Sequence, residues 1–154
     1  LSQGNQLSLA AGSGIGEIGF AQKLGIDPSY ITLLDKQLPD DAASKNLPSA
    51  VKYIQDTLQH WSGELVRRSL TREGNFPGMS ASYRIITLFG AEYAFDSSKM
   101  LLSERKIFVQ AVVHILEPGG ILVIVPEVTE LDKDFIKAGL LRVDLEAQMY
   151  QKPI

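Results

Sequence analysis

The stretch Leu7-Ser-Leu-Ala-Ala-Gly-Ser-Gly-Ile-Gly-Glu-Ile-Gly19, followed by the apolar run Ile31-Thr-Leu-Leu34 and then Asp35, decides the fold of this chain. The pattern predicts a strand, a glycine turn, a helix and a second strand that ends in a carboxylate. Gly12, Gly14 and Gly16 allow a sharp turn and let a ligand approach backbone N–H groups at the helix start. An acid closing the next strand can accept hydrogen bonds from ribose hydroxyls. The sequence therefore predicts a site for an adenosine-bearing cofactor.

Composition limits the class of protein. The 154 residues are 45% hydrophobic and 21% charged, which is enough apolar material for one packed core, so we expect a single domain over 1–154. Because the chain begins at Leu1 and its first strand follows almost at once, we expect this domain to belong to a longer protein. A net charge of −3 does not favour a nucleic-acid partner.

The absence of cysteine excludes several kinds of site. A chain without thiols has no disulfide framework, no thiolate metal site and no cysteine nucleophile, and it is suited to a reducing compartment such as the cytoplasm. The sequence has no apolar run of roughly 18 residues, so we expect no membrane span. The sequence leaves the oligomeric state open.

Short apolar runs alternate with amphipathic stretches along the chain, which predicts an α/β fold. The expected architecture is a doubly wound, mostly parallel sheet with helices on both faces. Pro118, Gly119 and Gly120 are expected to end a helix, and the loop residues of 72–82 to replace one. The predicted strands are 7–11, 30–35, 64–70, 83–89, 120–126 and a last strand or pair within 141–152; the predicted helices are 15–25, 47–61, 99–116 and 131–138.

One alternative is a nicotinamide oxidoreductase. Gly14-x-Gly16-x-x-Gly19 satisfies the dinucleotide-binding fingerprint, and an aspartate after the second strand suits NAD. A short-chain dehydrogenase, which the same segment also resembles, needs a Tyr-x-x-x-Lys pair. No tyrosine of this chain has a lysine four residues later, so the general acid of that chemistry is missing.

The whole run resembles the class I S-adenosylmethionine-dependent methyltransferases more closely. The resemblance rests on the turn of Ala10, Gly12 and Gly14, on Asp35, and on the strand entry Leu116-Glu-Pro-Gly-Gly120. It implies a Rossmann-like core that ends in an antiparallel hairpin, here abbreviated within 139–153. It also implies S-adenosylmethionine as the cofactor, bound by Ala10, Gly12, Ser13, Gly14, Asp35, Phe89 and Gly90.

Some positions depart from that family. Ser8 stands where the family carries an acid that helps hold the methionine ammonium, and Ala10 replaces the first turn glycine. For the acid that meets adenine after strand three, the sequence offers Ser69 to Thr71 and then Glu73. These departures keep open a second alternative, a methyltransferase-like domain that has lost catalysis and serves binding or assembly.

Methyl transfer needs the donor, methyl group and acceptor held in line, and a base if the acceptor loses a proton. Glu92 and Tyr93, after the strand 83–89, are the candidates to contact the acceptor. The Asn/Asp-Pro-Pro-aromatic motif that would favour a nucleic-acid base is absent there, so the expected acceptor is a small molecule or a protein.

The remaining polar side chains give no metal site. His60 and His114 are expected near helix ends, far apart in sequence, while Asp40 and Asp41 suit a solvated helix start.

Overall fold

A twisted sheet in the strand order β3-β2-β1-β4-β5-β7-β6 forms the centre of the molecule, and only β7 runs opposite to its neighbours. The computed structural model describes residues 5–12, 14–37, 48–71, 83–96 and 98–154, without the side chains of 70 and 71. Within these ranges the strands are β1 (Gln6–Leu9), β2 (Ile31–Asp35), β3 (Lys52–Gln55), β4 (Tyr83–Phe89), β5 (Leu116–Val125), β6 (Leu141–Arg142) and β7 (Gln148–Gln151). The helices are α1 (Ile15–Lys23), α2 (Leu58–Thr71), α3 (Leu102–Ile115) and α4 (Thr129–Lys137), with 3-10 turns at Pro28–Tyr30 and Glu92–Phe95.

Five adjacent strands run parallel, from β3 across to β5, and their carboxyl ends meet at one edge. The register places Leu9 beside both Leu34 and Leu88, and Asp35 beside Gln55. In open α/β sheets, ligands bind outside the carboxyl ends of the strands where the order reverses, which here is between β1 and β4. The expected doubly wound, mostly parallel sheet is therefore confirmed.

Helices cover both faces of the sheet. On one face Ile31 and Leu33 pack against Ile18 and Ala21 of α1. The opposite face carries the larger core, where α2, α3 and α4 pack on the strands. Its fully buried side chains include Leu7, Leu9, Leu34, Trp61, Leu65, Ile86, Leu88, Phe108, Phe135 and Tyr150.

The predictions of a helix at 47–61 and a strand at 64–70 are wrong. Residues 52–55 form β3 instead, hydrogen-bonded in parallel to β2, and α2 begins at Leu58. Thr57 starts this helix, because its hydroxyl accepts the N–H of His60 at 3.1 Å. The predicted loop at 72–82 lies outside the described residues.

The carboxyl-terminal hairpin is abbreviated, as predicted. β6 has two residues, and the connection to β7 turns where Asp144 accepts the N–H groups of Glu146 and Ala147. Pro118 to Gly120 lie inside β5 and do not end a helix, because α3 already stops at Ile115. Among the described helices, none is long and apolar enough to cross a membrane.

Candidate functional site

The turn between β1 and α1 passes through three residues with positive φ. Ala10, Gly12 and Gly14 have φ of 53°, 58° and 80°. A Cβ at Gly14 would lie 2.4 Å from Cδ1 of the buried Leu33, so a side chain there would require Leu33 to shift as well as a positive φ. At Gly12, no atom of the described residues lies within 4 Å of the position a Cβ would take, so the backbone faces open space. Ser13 lies outside the described residues.

Asp35 holds this turn against the end of β2. Its Oδ2 accepts the backbone N–H of Gly12 at 2.7 Å, and its Oδ1 accepts that of Gln37 at 3.1 Å. The N–H of Ala11 donates to the carbonyl of Leu34 at 3.1 Å. A carboxylate has about four acceptor positions in all, so Asp35 can still accept from a ligand.

A cavity of about 260 Å³ opens at this edge of the sheet. Its wall includes Ala10, Asp35, Asp56, Leu58, Tyr93 and Lys99. Of the residues that sequence analysis placed at a cofactor, the cavity thus contains Ala10 and Asp35, with Gly12 bound to the Asp35 carboxylate. Two carboxylates at the ends of neighbouring strands and an apolar wall between them are the main features of the cavity.

Asp56 is the residue of this site that sequence reasoning missed. Its N–H donates to the carbonyl of Asp35 at 3.0 Å, and its carboxylate lies 2.9 Å from Nδ1 of His60. The hydrogen bond and charge of Asp56 raise the pKa of the exposed His60. Ser69 to Thr71, which the sequence offers after its predicted third strand without a clear adenine contact, lie at the end of α2, and Glu73 lies outside the described residues.

The signal that could have identified Asp56 is local. Thr57 follows it with the N-cap geometry of α2, and Val51 to Gln55 read as a short strand before it. An acid between a strand and a helix cap lies at the carboxyl edge of the sheet.

The end of β4 lies beside the glycine turn. Phe89 packs edge-on against Phe20 of α1, with ring centroids 5.5 Å apart, so its ring faces the helix. Gly90 has φ of 68° and open space where a Cβ would point, and its N–H donates to the carbonyl of Val125 at 2.7 Å.

Glu92 and Tyr93 share the 3-10 turn that follows, and only Tyr93 lines the cavity. The Tyr93 side chain is 54% exposed, and Nζ of Lys99 lies 5.5 Å from its ring centroid, within cation–π range. Gln59 donates to the carbonyl of Lys99 at 3.2 Å, which ties this segment to α2. Tyr93 and Lys99 thus form the side of the cavity that is open to solvent.

A buried polar cluster lies under the glycine turn. Ser8 accepts hydrogen bonds from Thr87 at 2.7 Å and from Gln6 at 3.1 Å. Gln6 also donates to the backbone carbonyl of Glu17 at 3.3 Å. Glu17, in the first turn of α1, is 5% exposed. Burial raises the pKa of its carboxyl, its own backbone N–H lowers it, and the charge of Asp35 raises it further.

The two histidines lie apart from one another in the fold. His60 is in the first turn of α2 and does not close a helix as the predicted helix 47–61 implied, and His114 is exposed in the last turn of α3. No cluster of three or more His, Asp or Glu residues suited to a metal occurs in the described part of the chain. Asp40 and Asp41 lie outside it.

Neither a protein-family model nor a curated protein matches this sequence. Solved structures do match. The N-methyltransferase NodS from Bradyrhizobium japonicum WM9 is 13% identical with a TM-score of 0.59, and the match covers 98% of this chain and 86% of NodS. A Burkholderia thailandensis 1,6-didemethyltoxoflavin-N1-methyltransferase, solved with its substrate and S-adenosylhomocysteine, is 13% identical with a TM-score of 0.60, over 99% of this chain and 72% of that one.

The same fold also supports a different reaction. The cyclase SpnF is 13% identical with a TM-score of 0.59, over 93% of this chain and 54% of the cyclase. This chain spans less than two thirds of the length of the cyclase and of several other matching structures. It covers, for example, 46% of a methyltransferase from Mesorhizobium loti. At such identities the likeness establishes the architecture, and the chemistry has to be argued from the site.

Proposed function

We propose that this chain, which has the fold of the class I S-adenosylmethionine-dependent methyltransferases, binds S-adenosylmethionine and transfers its methyl group to a small molecule or a protein side chain. The observation that carries the proposal is the cavity with Asp35 and Asp56 at the ends of two adjacent parallel strands. Adenosine presents two ribose hydroxyls and an exocyclic amine, all of which donate hydrogen bonds. Two carboxylates at one sheet edge match these donors.

Each part of the site has a proposed role in binding the cofactor. Asp35 accepts from the ribose hydroxyls with the acceptor positions that Gly12 and Gln37 leave open. Asp56 accepts from the adenine amine, and the buried Leu58 provides an apolar surface for the base. The residues present therefore fit an adenosine-bearing cofactor.

The glycine turn holds the rest of the cofactor. The open space at Gly12 and at Gly90 lets the ligand approach the backbone from both sides of the β1–β4 junction. Together with Ala10, Ser13, Gly14 and Phe89, these two glycines form the binding surface that we propose for the methionine part.

S-adenosylmethionine supplies an electrophilic methyl group on a sulfonium when it is bound. The protein then has to orient the acceptor and exclude competing nucleophiles. We assign the orientation to Tyr93, which lies on the cavity wall with its ring exposed. Glu92 is exposed on the same turn, so it can take a proton from an acceptor held at Tyr93.

A binding domain without turnover is the second function we consider, because Ala10 favours it. A non-glycine residue with φ of 53° is strained, and this one lines the cavity, where its methyl group takes space next to a ligand. The oxidoreductase alternative is less favoured. The dinucleotide-binding fold has six parallel strands in the order 3-2-1-4-5-6, whereas here the antiparallel β7 lies between β5 and β6.

Calorimetric titration of the chain tests the proposal. We expect S-adenosylmethionine and S-adenosylhomocysteine to bind with micromolar affinity and NAD not to bind. We expect Asp35→Ala to weaken the binding of S-adenosylmethionine and of S-adenosylhomocysteine by roughly tenfold or more, because charge-assisted hydrogen bonds are lost. Glu130→Gln, which removes an exposed charge on α4, is the matched control and should bind like the parent. Failure of both cofactor forms to bind contradicts the proposal.

Transfer of a radiolabelled methyl group separates the two functions. A chain that binds the cofactor and labels an acceptor in a panel of amines, phenols and peptides is a methyltransferase. Tight binding with no labelled product from any acceptor favours the binding domain.

A further inference from the structure

The Asp56 carboxylate is held from outside the cavity by a histidine that is not part of the cavity wall. Nδ1 of His60 lies 2.9 Å from both carboxylate oxygens of Asp56. The His60 side chain is 63% exposed, whereas the Asp56 side chain is 18% exposed and belongs to the wall. Any influence of His60 on a ligand in the cavity therefore passes through Asp56.

The start of α2 fixes the histidine in this place. The N–H of His60 donates to Oγ1 of Thr57 at 3.1 Å, and the N–H of Thr57 donates to Oδ1 of Asp56 at 2.8 Å. Asp56 and His60 are four residues apart, a spacing at which side chains along a helix meet. The contact between imidazole and carboxylate is therefore built into the first turn of the helix.

The hydrogen bonds that Asp56 already makes leave one of its oxygens mainly free for a ligand. A carboxylate has about four acceptor positions on its two oxygens. Thr57 and His60 both donate to Oδ1, and His60 shares its donor with Oδ2, so the remaining capacity lies mainly on Oδ2. Beside a carboxylate, Nδ1 of His60 carries a proton whether the ring is neutral or charged, because two acceptors would repel each other.

We propose that His60 is a positioning residue, which holds the Asp56 carboxylate towards the cavity and so sets the preference of the site for a base with an exocyclic amine. The inference rests on the proposed function, because it needs the adenine amine at Asp56. An oriented carboxylate loses less conformational freedom when a ligand donates to it than a freely rotating one does. The raised pKa of His60, which the hydrogen bond and charge of Asp56 cause, agrees with this pairing.

The test compares two ligands that differ only at the exocyclic amine. 5′-Methylthioadenosine carries the amine, and its purine analogue has a hydrogen atom in that place. We expect the parent chain to bind 5′-methylthioadenosine roughly tenfold more tightly than the analogue, because it gains one hydrogen bond to a charged acceptor. His60→Ala should lower this preference to roughly threefold or less, because the carboxylate is no longer held in place.

Three further variants identify the cause of such an effect. His60→Asn keeps an N–H donor near the position of Nδ1, so it should restore the preference to within about twofold of the parent. His114→Ala removes the other histidine of the chain, which is exposed on α3, and should bind both ligands like the parent. Asp56→Ala removes the acceptor itself and should abolish the preference.

A measurement on the parent chain avoids any effect of substitution on folding. The charges of Asp56 and Glu64 act on the His60 ring. Lys36 and Lys99, from the segments after β2 and β4, line the cavity with Asp56. These groups are the same with either ligand, so the comparison isolates the amine. Because the amine draws on the Asp56 carboxylate, we expect a lower NMR titration midpoint of His60 with bound 5′-methylthioadenosine than with the bound analogue.

The outcomes separate this inference from the function on which it rests. An unchanged or larger preference in His60→Ala, together with a lost preference in Asp56→Ala, overturns the role of His60 alone. Equal His60 midpoints with the two bound ligands overturn it as well. Equal affinity of the parent for both ligands also removes the amine contact of Asp56, and failure of both ligands to bind the parent overturns the proposed function.

Discussion

The backbone N–H of Gly12 donates a 2.7 Å hydrogen bond to Oδ2 of Asp35 and so joins the loop after β1 to the end of β2. The bond fixes the orientation of the carboxylate at the mouth of the cavity. It also means that Asp35 stabilises the fold in addition to the ligand-binding role we propose, and the two contributions can be separated by substitution.

Two substitutions of Asp35 should differ in their effect on stability. Asparagine keeps an oxygen that can accept from Gly12, whereas alanine leaves two N–H groups without this partner. We expect Asp35→Ala to lower the free energy of unfolding by about 1–3 kcal/mol and Asp35→Asn by less than about 1 kcal/mol. Urea denaturation measures both, and equal losses would mean that the Gly12 bond adds nothing to stability.

Gly14 and Gly12 should respond differently to alanine. At either position a side chain at positive φ costs roughly 1–2 kcal/mol of stability, but Gly14→Ala also forces Leu33 to move. We therefore expect Gly14→Ala to be the more destabilising variant. Leu33→Ala removes the side chain that Gly14→Ala would displace. We therefore expect the stability losses of the two single variants to sum to more than the loss in the double variant, by roughly 0.5–3 kcal/mol. Strict additivity in a double-mutant cycle would contradict the contact.

Replacing Ala10 by glycine should relieve strain. Ala10 has φ of 53°, so we expect Ala10→Gly to raise the free energy of unfolding by up to about 1 kcal/mol, and to tighten S-adenosylhomocysteine binding. Ala138, which ends α4 with φ of −78°, is the control, and its change to glycine should lower stability. A destabilised Ala10→Gly variant would show that the methyl group of Ala10 contributes packing that outweighs the strain.

His60 should titrate above its usual range, because the Asp56 carboxylate raises its pKa. A raised pKa in the folded state adds stability that is present below the ordinary pKa and is lost as the pH rises through the raised value. NMR titration of the His60 ring measures this directly, and Asp56→Asn should lower the midpoint. An unchanged midpoint in that variant would mean that the pair does not form in solution.

Glu17→Gln should stabilise the free chain at neutral pH. Since burial raises the pKa of this carboxyl in the folded state, folding loses free energy as the pH rises above the unfolded pKa, and the loss is complete once the pH exceeds the folded value. Glutamine removes that cost, and a gain of about 1 kcal/mol would raise the Tm by about 2–4 °C. The gain should disappear below about pH 4, where the parent is protonated as well. A lower Tm at neutral pH would mean that the charge stabilises α1 more than burial destabilises it.

The sequence predicted the local elements around the candidate site. A strand, a glycine turn, a helix and a second strand ending at Asp35 are local signals, whereas the hydrogen bond from the Gly12 N–H to Asp35 was not predicted and becomes visible only in the structure. The parallel direction of the central strands also follows from the alternation of strand and helix.

The sequence misled at β3 and α2, and for a physical reason. β3 has four residues and is half exposed, so its apolar pattern is weak, while Leu65 and Val66 in α2 read as a strand by composition. Tertiary contacts determine the structure of these two segments, because β3 pairs with β2, and Trp61 and Leu65 of α2 pack into the core. Missing β3 meant missing Asp56 as a member of the site.

Three contacts to β2 hold the glycine turn: the Ala11 N–H donates to the Leu34 carbonyl, the Gly12 N–H donates to the Asp35 carboxylate, and the Leu33 side chain lies beside Gly14. The segment 91–96 is anchored in the core by Ala91 and by Phe95, which packs on Phe108, whereas Glu92 and Tyr93 between them are exposed. The glycine-turn side and the Tyr93 side of the cavity therefore differ in how readily they tolerate amino-acid substitutions. If Tyr93 contacts the acceptor as we propose, substitutions around it can alter the choice of acceptor while the turn stays intact, whereas a change in the turn disturbs its contacts with β2.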